Sequence, residues 1–130
     1  MVFVCSIDCR YIDADKAEEC QQVKIQNSTQ SDHLSLDGIY NRTDSMCSCR
    51  YVFKHVEGLY VLFYDQTNWL IGTAGCQDDN EVDLFAKISS NEPYIKDVEG
   101  TWEEINKNGT DWEFNSDFKI ICTQSGEYDI

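Results

Sequence analysis

Apolar residues come along this chain in short bursts with turn residues between them. The bursts are Val23–Ile25, Gly38–Tyr40, Tyr51–Phe53, Leu59–Tyr64, Trp69–Ile71, Val82–Ala86, Thr101–Ile105, Trp112–Phe114 and Phe118–Cys122. They are rich in β-branched and aromatic residues and too short for helices, so each is read as a strand. The punctuation is Asp37-Gly38, Glu57-Gly58, Asp65–Asn68, Gly72–Gly75, Glu99-Gly100 and Asn108-Gly109, all with strong turn chemistry. Strands recurring every ten or so residues, with tight turns, predict a mainly all-β fold: an antiparallel meander, or a small barrel or sandwich, of about eight short strands. Leu59–Tyr64 is apolar at even and odd positions alike, which places it at the centre of the sheet. Phe118, Ile120 and Cys122 recur at every second position, as in a strand buried on one face.

The start of the chain follows a different pattern. Val2, Val4 and Ile7 could make a short strand, and Asp13–Glu19 reads as a short N-terminal helical turn with acidic residues early, where the helix dipole favours them. The β pattern begins at about residue 20. No apolar run is long enough to span a membrane. Met1–Val4 is too short for the core of a signal peptide, so an extracellular address requires a leader outside this sequence.

Charge narrows the partners. The chain has 130 residues with 24 acidic and 10 basic side chains, a net charge of -14. Such a field repels nucleic-acid backbones and anionic membrane surfaces, and it suits a protein partner with a basic face or a divalent cation. The simpler role for this charge is solubility. At 42% hydrophobic and 12% aromatic the chain is nevertheless rich enough in apolar residues to build a core.

Seven cysteines change the picture more: Cys5, Cys9, Cys20, Cys47, Cys49, Cys76 and Cys122. That density points to an oxidising compartment. All seven are candidates for disulfides, and the odd number leaves one over. Cys47 and Cys49 sit too close for a mutual bridge if both lie on a strand, so each reaches elsewhere, for example to Cys76. A zinc site would need four ligands, and neither Cys5-x3-Cys9 nor Cys47-x-Cys49 has the usual paired spacing. Three sequons, at Asn27, Asn41 and Asn108, fit the same compartment and mark glycosylation candidates.

Catalytic signatures are not found. The sequence contains no nucleophile elbow, phosphate-binding loop, dinucleotide fingerprint or zinc-protease helix motif. Its two histidines, His33 and His55, offer little for base catalysis near neutral pH, and His55 reads as a surface or strand-end residue. Carboxylate pairs such as Glu18-Glu19 and Glu103-Glu104 are expected in any chain this acidic. The best metal candidate is the loop Gln77–Asp83, whose Asp78, Asp79 and Asp83 would suit calcium, though as a solvated turn it needs no ion. Trp69, Trp102 and Trp112 read first as core anchors, and alternatively as a binding platform.

The order of these motifs resembles a cysteine-bounded β-module that recurs, often in tandem, in extracellular regions of invertebrate proteins. The shared pattern here is Cys20-x-x-Val23-x-Ile25, Gly38-Ile39-Tyr40, Arg50–Lys54, Leu59–Tyr64, Trp69-x-Ile71-Gly72, Phe85-Ala86, Trp102, Trp112 and Ile121-Cys122. Tyr51 stands where the module has proline, which frees that strand to pair fully. The resemblance implies that Cys20 and Cys122 face each other across the first and last strands. A bridge closing a loop of about a hundred residues would contribute up to about 4–5 kcal/mol in the chain-entropy model. It also implies a division into a segment or linker over 1–19, carrying Cys5 and Cys9, a β domain over 20–122, and a tail over 123–130. The expectation is then a secreted, glycosylated, non-catalytic module of protein-binding or cell-adhesion type with no cofactor. The alternatives are a secreted effector or inhibitor, or a cytosolic interaction domain with free thiols.

Overall fold

A computed structural model of the chain describes residues 17–29, 35–76, 83–106 and 109–124. Among the described residues nine strands form one antiparallel sheet. They are β1 (Gln22–Gln26), β2 (Gly38–Cys47), β3 (Arg50–His55), β4 (Val61–Tyr64), β5 (Asn68–Gly72), β6 (Leu84–Ser89), β7 (Trp102–Ile105), β8 (Trp112–Asn115) and β9 (Lys119–Gln124). Their order is β8-β7-β6-β5-β4-β3-β2-β1-β9, a meander whose last strand returns to pair with the first. The expected helical turn over 13–19 lies mostly outside the described residues, and Ala17 and Glu18 form a plain turn. A 3-10 turn over Ile95–Asp97 is the helical element among the described residues.

β4 occupies the middle of the order, and its residues are covered on both faces. Leu62 and Tyr64 join Trp69, Ile71, Phe53 and Tyr40 in the main core, while Phe63 joins Val52, Leu70 and Cys47 in a second cluster. The alternation of a strand accounts for this division: Val52 and Phe53 point opposite ways, as do Leu70 and Ile71. Leu59, by contrast, lies outside the strand and is exposed.

The longest strand, β2, was the least visible in the sequence. Its apolar start, Gly38–Tyr40, continues through the polar run Asn41–Ser45 to Cys47, with a register shift against β3 between Arg42 and Met46. Such a bulge lets a strand run on without alternating apolar residues. The β2–β3 turn is Ser48-Cys49, both at positive φ (51° and 66°). This is the twist that a two-residue hairpin demands, achieved without the usual glycine. Cys49 therefore sits in a turn and not on a strand. Gly38 is required where it stands: its φ is 133°, and a Cβ there would come within 2.8 Å of His55 Nε2.

Two described disulfides fasten the sheet. Cys20 is bonded to Cys122, joining the approach to β1 to β9 across a sequence separation of 102. Cys47 is bonded to Cys76, which brings the segment after β5 onto the second cluster. Cys49 is disulfide-bonded as well; Cys5 and Cys9 lie outside the described residues. The described domain is slightly wider than the span from cysteine to cysteine. β9 runs on to Gln124, whose carbonyl accepts from Gln21 N (2.8 Å), and Glu19 is fully buried.

Replacing both Cys20 and Cys122 by serine should lower unfolding stability by about 2–5 kcal/mol, the range for losing a long-loop bridge. Urea denaturation of the oxidised double variant against the oxidised parent measures this, with the parent's β-type circular dichroism retained at zero urea.

Candidate binding site at the seam of the sheet

β8 and β9 are the two edges of the sheet, yet only residues 116–118 connect them. The sheet therefore has to curl until its edges approach. No ladder joins them; the pairings of β8 and β9 are with β7 and β1. Side chains close the gap instead. Glu104 on β7 is buried, and its carboxylate accepts from Ser28 Oγ (2.6 Å), Thr29 N (2.9 Å), Thr29 Oγ1 (3.0 Å) and Asn115 Nδ2 (2.7 Å). Asn115 Nδ2 also donates to Asn27 O (2.8 Å), and Asn27 Nδ2 donates to Asp117 O (3.0 Å). The end of β1, the middle of β7 and the β8–β9 turn are thus held by one polar cluster. A buried carboxylate is tolerated because charge-assisted bonds satisfy it on both oxygens.

Beyond that cluster the seam opens into a cavity of about 200 Å³. One wall is three successive residues of β9, Lys119, Ile120 and Ile121. The other runs from Ile95 to Gly100, and Trp102 and Phe118 also line it, their ring centroids 5.1 Å apart. Buried polar side chains position the second wall. Tyr64 donates to Ser90 O (2.8 Å), Arg50 to Asn91 O (3.1 Å) and Glu92 O (3.3 Å), and Trp69 Nε1 to Glu92 O (3.3 Å). Arg50 also lies over the Tyr64 ring, 4.8 Å from its centroid. These bonds fix the chain entering the 3-10 turn.

Glu19 fixes the turn itself. Its carboxylate accepts from Ile95 N (3.1 Å) and from Cys20 N (2.8 Å), beside the Cys20–Cys122 bridge. Burial pushes this carboxyl up to about 7 from an ordinary 4.5, against the pull of those two amides and of Arg42 and Lys96. Lys96 is 3.7 Å from Glu18.

The candidates from sequence are dispersed. Trp69 is in the main core. Trp102 is buried against Phe118 and lines the cavity, and Trp112 lies under Lys87 Nζ, 4.4 Å from its ring centroid. The three therefore present no shared platform. Asn27 is exposed at the end of β1 with φ 66°. Asn41 is exposed on β2, where its Oδ1 accepts from Gln22 Nε2 (2.8 Å). Asn108, Asp78 and Asp79 lie outside the described residues; Asp83 is exposed, its backbone N and O both bonded to Thr73. Among the described residues no group of three or more His, Cys, Asp or Glu is placed to hold a metal ion. His55 closes β3 as a strand-end residue but is buried and not on the surface. Its Nδ1 accepts from Glu57 N (3.1 Å), and its ring stands edge-on to Tyr40 and Tyr60.

Glu19 and Glu104 read in the sequence as ordinary members of carboxylate pairs and Arg50 as part of the module pattern, so none of the three was given a role. For Glu104 a signal existed: it is two residues from Trp102 on the same strand, so burial of Trp102 turns it inward too. Arg50 and Glu19 carry no such mark, because the backbone groups of Asn91, Glu92 and Ile95 that they hold are far away in sequence. No family model, curated protein or solved structure matches the chain.

Glu104→Ala should cost about 2–4 kcal/mol, because it strands four donors in the seam, a loss read by denaturant unfolding. Glu19 gives a pH signature of definite sign. The folded protein keeps this proton up to about pH 7, and the unfolded chain releases it near 4.5. Its contribution to stability is therefore complete below the lower value, declines as pH rises through that interval, and is gone above it. Unfolding free energies measured from pH 4 to 8 should show this decline in the parent, and the difference between parent and Glu19→Gln should flatten above about pH 7.

Proposed function

We propose that this chain is an extracellular, non-catalytic binding module of the adhesion type, which recognises a protein partner. The observation carrying the reading is the covalently clasped sheet. Bridges at Cys20–Cys122 and Cys47–Cys76, with Cys49 bonded too, fit an oxidising compartment. Among the described residues no helix is long and apolar enough to cross a membrane. The buried polar side chains favour binding over chemistry. Glu19, Glu104, Arg50 and His55 use their hydrogen bonds on the chain's own backbone and side chains, and none of the buried side-chain polar atoms described lacks a partner. Exposed Asn27 and Asn41, together with Asn108, carry glycans in this reading. The acidic surface favours a partner with a basic face.

Two measurements test the reading. After expression through a eukaryotic secretory pathway, peptide mapping without reduction should recover the Cys20–Cys122 and Cys47–Cys76 pairs. Removal of N-glycans should lower the mass and convert modified asparagines to aspartate at sequon positions. The oxidised protein should bind one or more members of an array of secreted and cell-surface ectodomains, with affinity falling as salt rises. Recovery of free thiols at those four cysteines, or no binding across the array, would overturn it.

A further inference from the structure

We infer that the seam is a strand-addition site: an extended segment of a protein partner pairs with the free edge of β9, places an apolar side chain in the cavity between β9 and the Ile95–Gly100 wall, and sets a carboxylate against Lys119. The inference rests on the binding-module reading and names the part of the surface that does the binding.

Three observations converge on this edge. First, β9 pairs with β1 on one side only and ends the strand order. An edge strand presents a row of backbone donors and acceptors, and natural proteins usually cover or shorten it. β8, the other edge, is four residues long, whereas β9 is six. Second, the cavity borders this strand: three consecutive residues of β9 line it, so it follows the strand's backbone, while Ile95, Trp102 and Phe118 of the main core form its far side. Its remaining lining combines the apolar side chains of Ile95, Val98, Trp102 and Phe118 with Lys96 and Gly100, and the surface it presents is more polar than apolar, so one apolar side chain fits it beside a hydrogen-bonding backbone. Ile121 is 41% exposed at its rim. Third, in a chain of net charge -14 the cavity is lined by two lysines and no carboxylate. Lys96 has Glu18 at 3.7 Å, so Lys119 is the cation better placed to meet an incoming acid.

The combination selects the occupant. A small apolar ligand would use the hollow alone and leave the backbone edge unsatisfied. An extended segment uses all three features at once: main-chain bonds for affinity, the hollow for one side chain, and Lys119 for register. This is the division of labour in β-strand addition. The added strand would also continue the sheet toward β8, across the gap that the Glu104 cluster spans at one end only.

The test uses the oxidised full-length chain and a phage-displayed library of short linear peptides. Enriched peptides are synthesised and titrated against the parent, Ile121→Lys and Lys119→Glu by fluorescence anisotropy. Both sites are exposed surface positions, and thermal melting verifies that each variant folds. Binding should weaken roughly tenfold or more in each variant, the scale of a central contact. Enriched sequences should carry an acidic residue at a fixed offset from an apolar one. N-methylation along a bound peptide should abolish binding at every second amide and spare the others, a pattern that side-chain docking does not produce. Peptides that bind both variants as well as the parent, or that tolerate methylation throughout, would overturn the strand-addition site and leave the binding module standing. An empty selection also overturns the site; the ectodomain array then decides the broader reading by itself.

Discussion

A connection of three residues between β8 and β9 is the constraint on which this fold turns. The two strands stand at opposite ends of a nine-strand order. A flat sheet would hold its edges many strand spacings apart, at almost 5 Å each, far beyond the reach of three residues. The sheet must curl, as twisted antiparallel sheets can. Once it curls, its concave face encloses the main core, and the central strands present a second apolar cluster on the convex face.

Curling leaves a seam, and the protein closes the seam with polar chemistry and a disulfide instead of a ladder. Glu104 gathers four donors from two segments distant in sequence, Ser28-Thr29 and Asn115, and the Cys20–Cys122 bridge ties β9 back to the start of β1. The two devices act on different states. The carboxylate cluster stabilises the native arrangement, because removing it would leave part-buried donors unpaired. The bridge acts largely on the unfolded chain, by restricting a loop of 102 residues. Their location is the same, which follows from the geometry: this is where the sheet has no neighbour of its own.

The proposed strand-addition site lies at the same seam. The wall from Ile95 to Gly100 is not free to drift, since Tyr64, Arg50 and Trp69 hold the chain before it and Glu19 holds its first amide. A cavity with one wall fixed from the core and the other made of strand backbone would be preorganised for the extended segment proposed to bind there. Preorganisation matters because ordering costs subtract directly from affinity.

Much of this architecture was legible in the sequence. Nine apolar bursts became nine strands, because strand pattern and turn chemistry are local properties. The central place of β4 followed from its lack of alternation. The pairing of Cys20 with Cys122, implied by the likeness to an extracellular module, is the pairing found. The length of β2 was hidden by a polar run and a bulge, and the turn at Ser48-Cys49 by the absence of glycine. The inward turn of Glu104, the capping of a loop by Arg50 and the hold of Glu19 on Ile95 were decided by tertiary structure alone. Each pairs one residue with a backbone group or side chain that only the curled sheet brings near. So the sequence by itself determined where the apolar strands lie and those turns that carry glycine, asparagine or aspartate. The seam, the polar cluster that closes it and the cavity beside it exist only because nine strands in that order must curl.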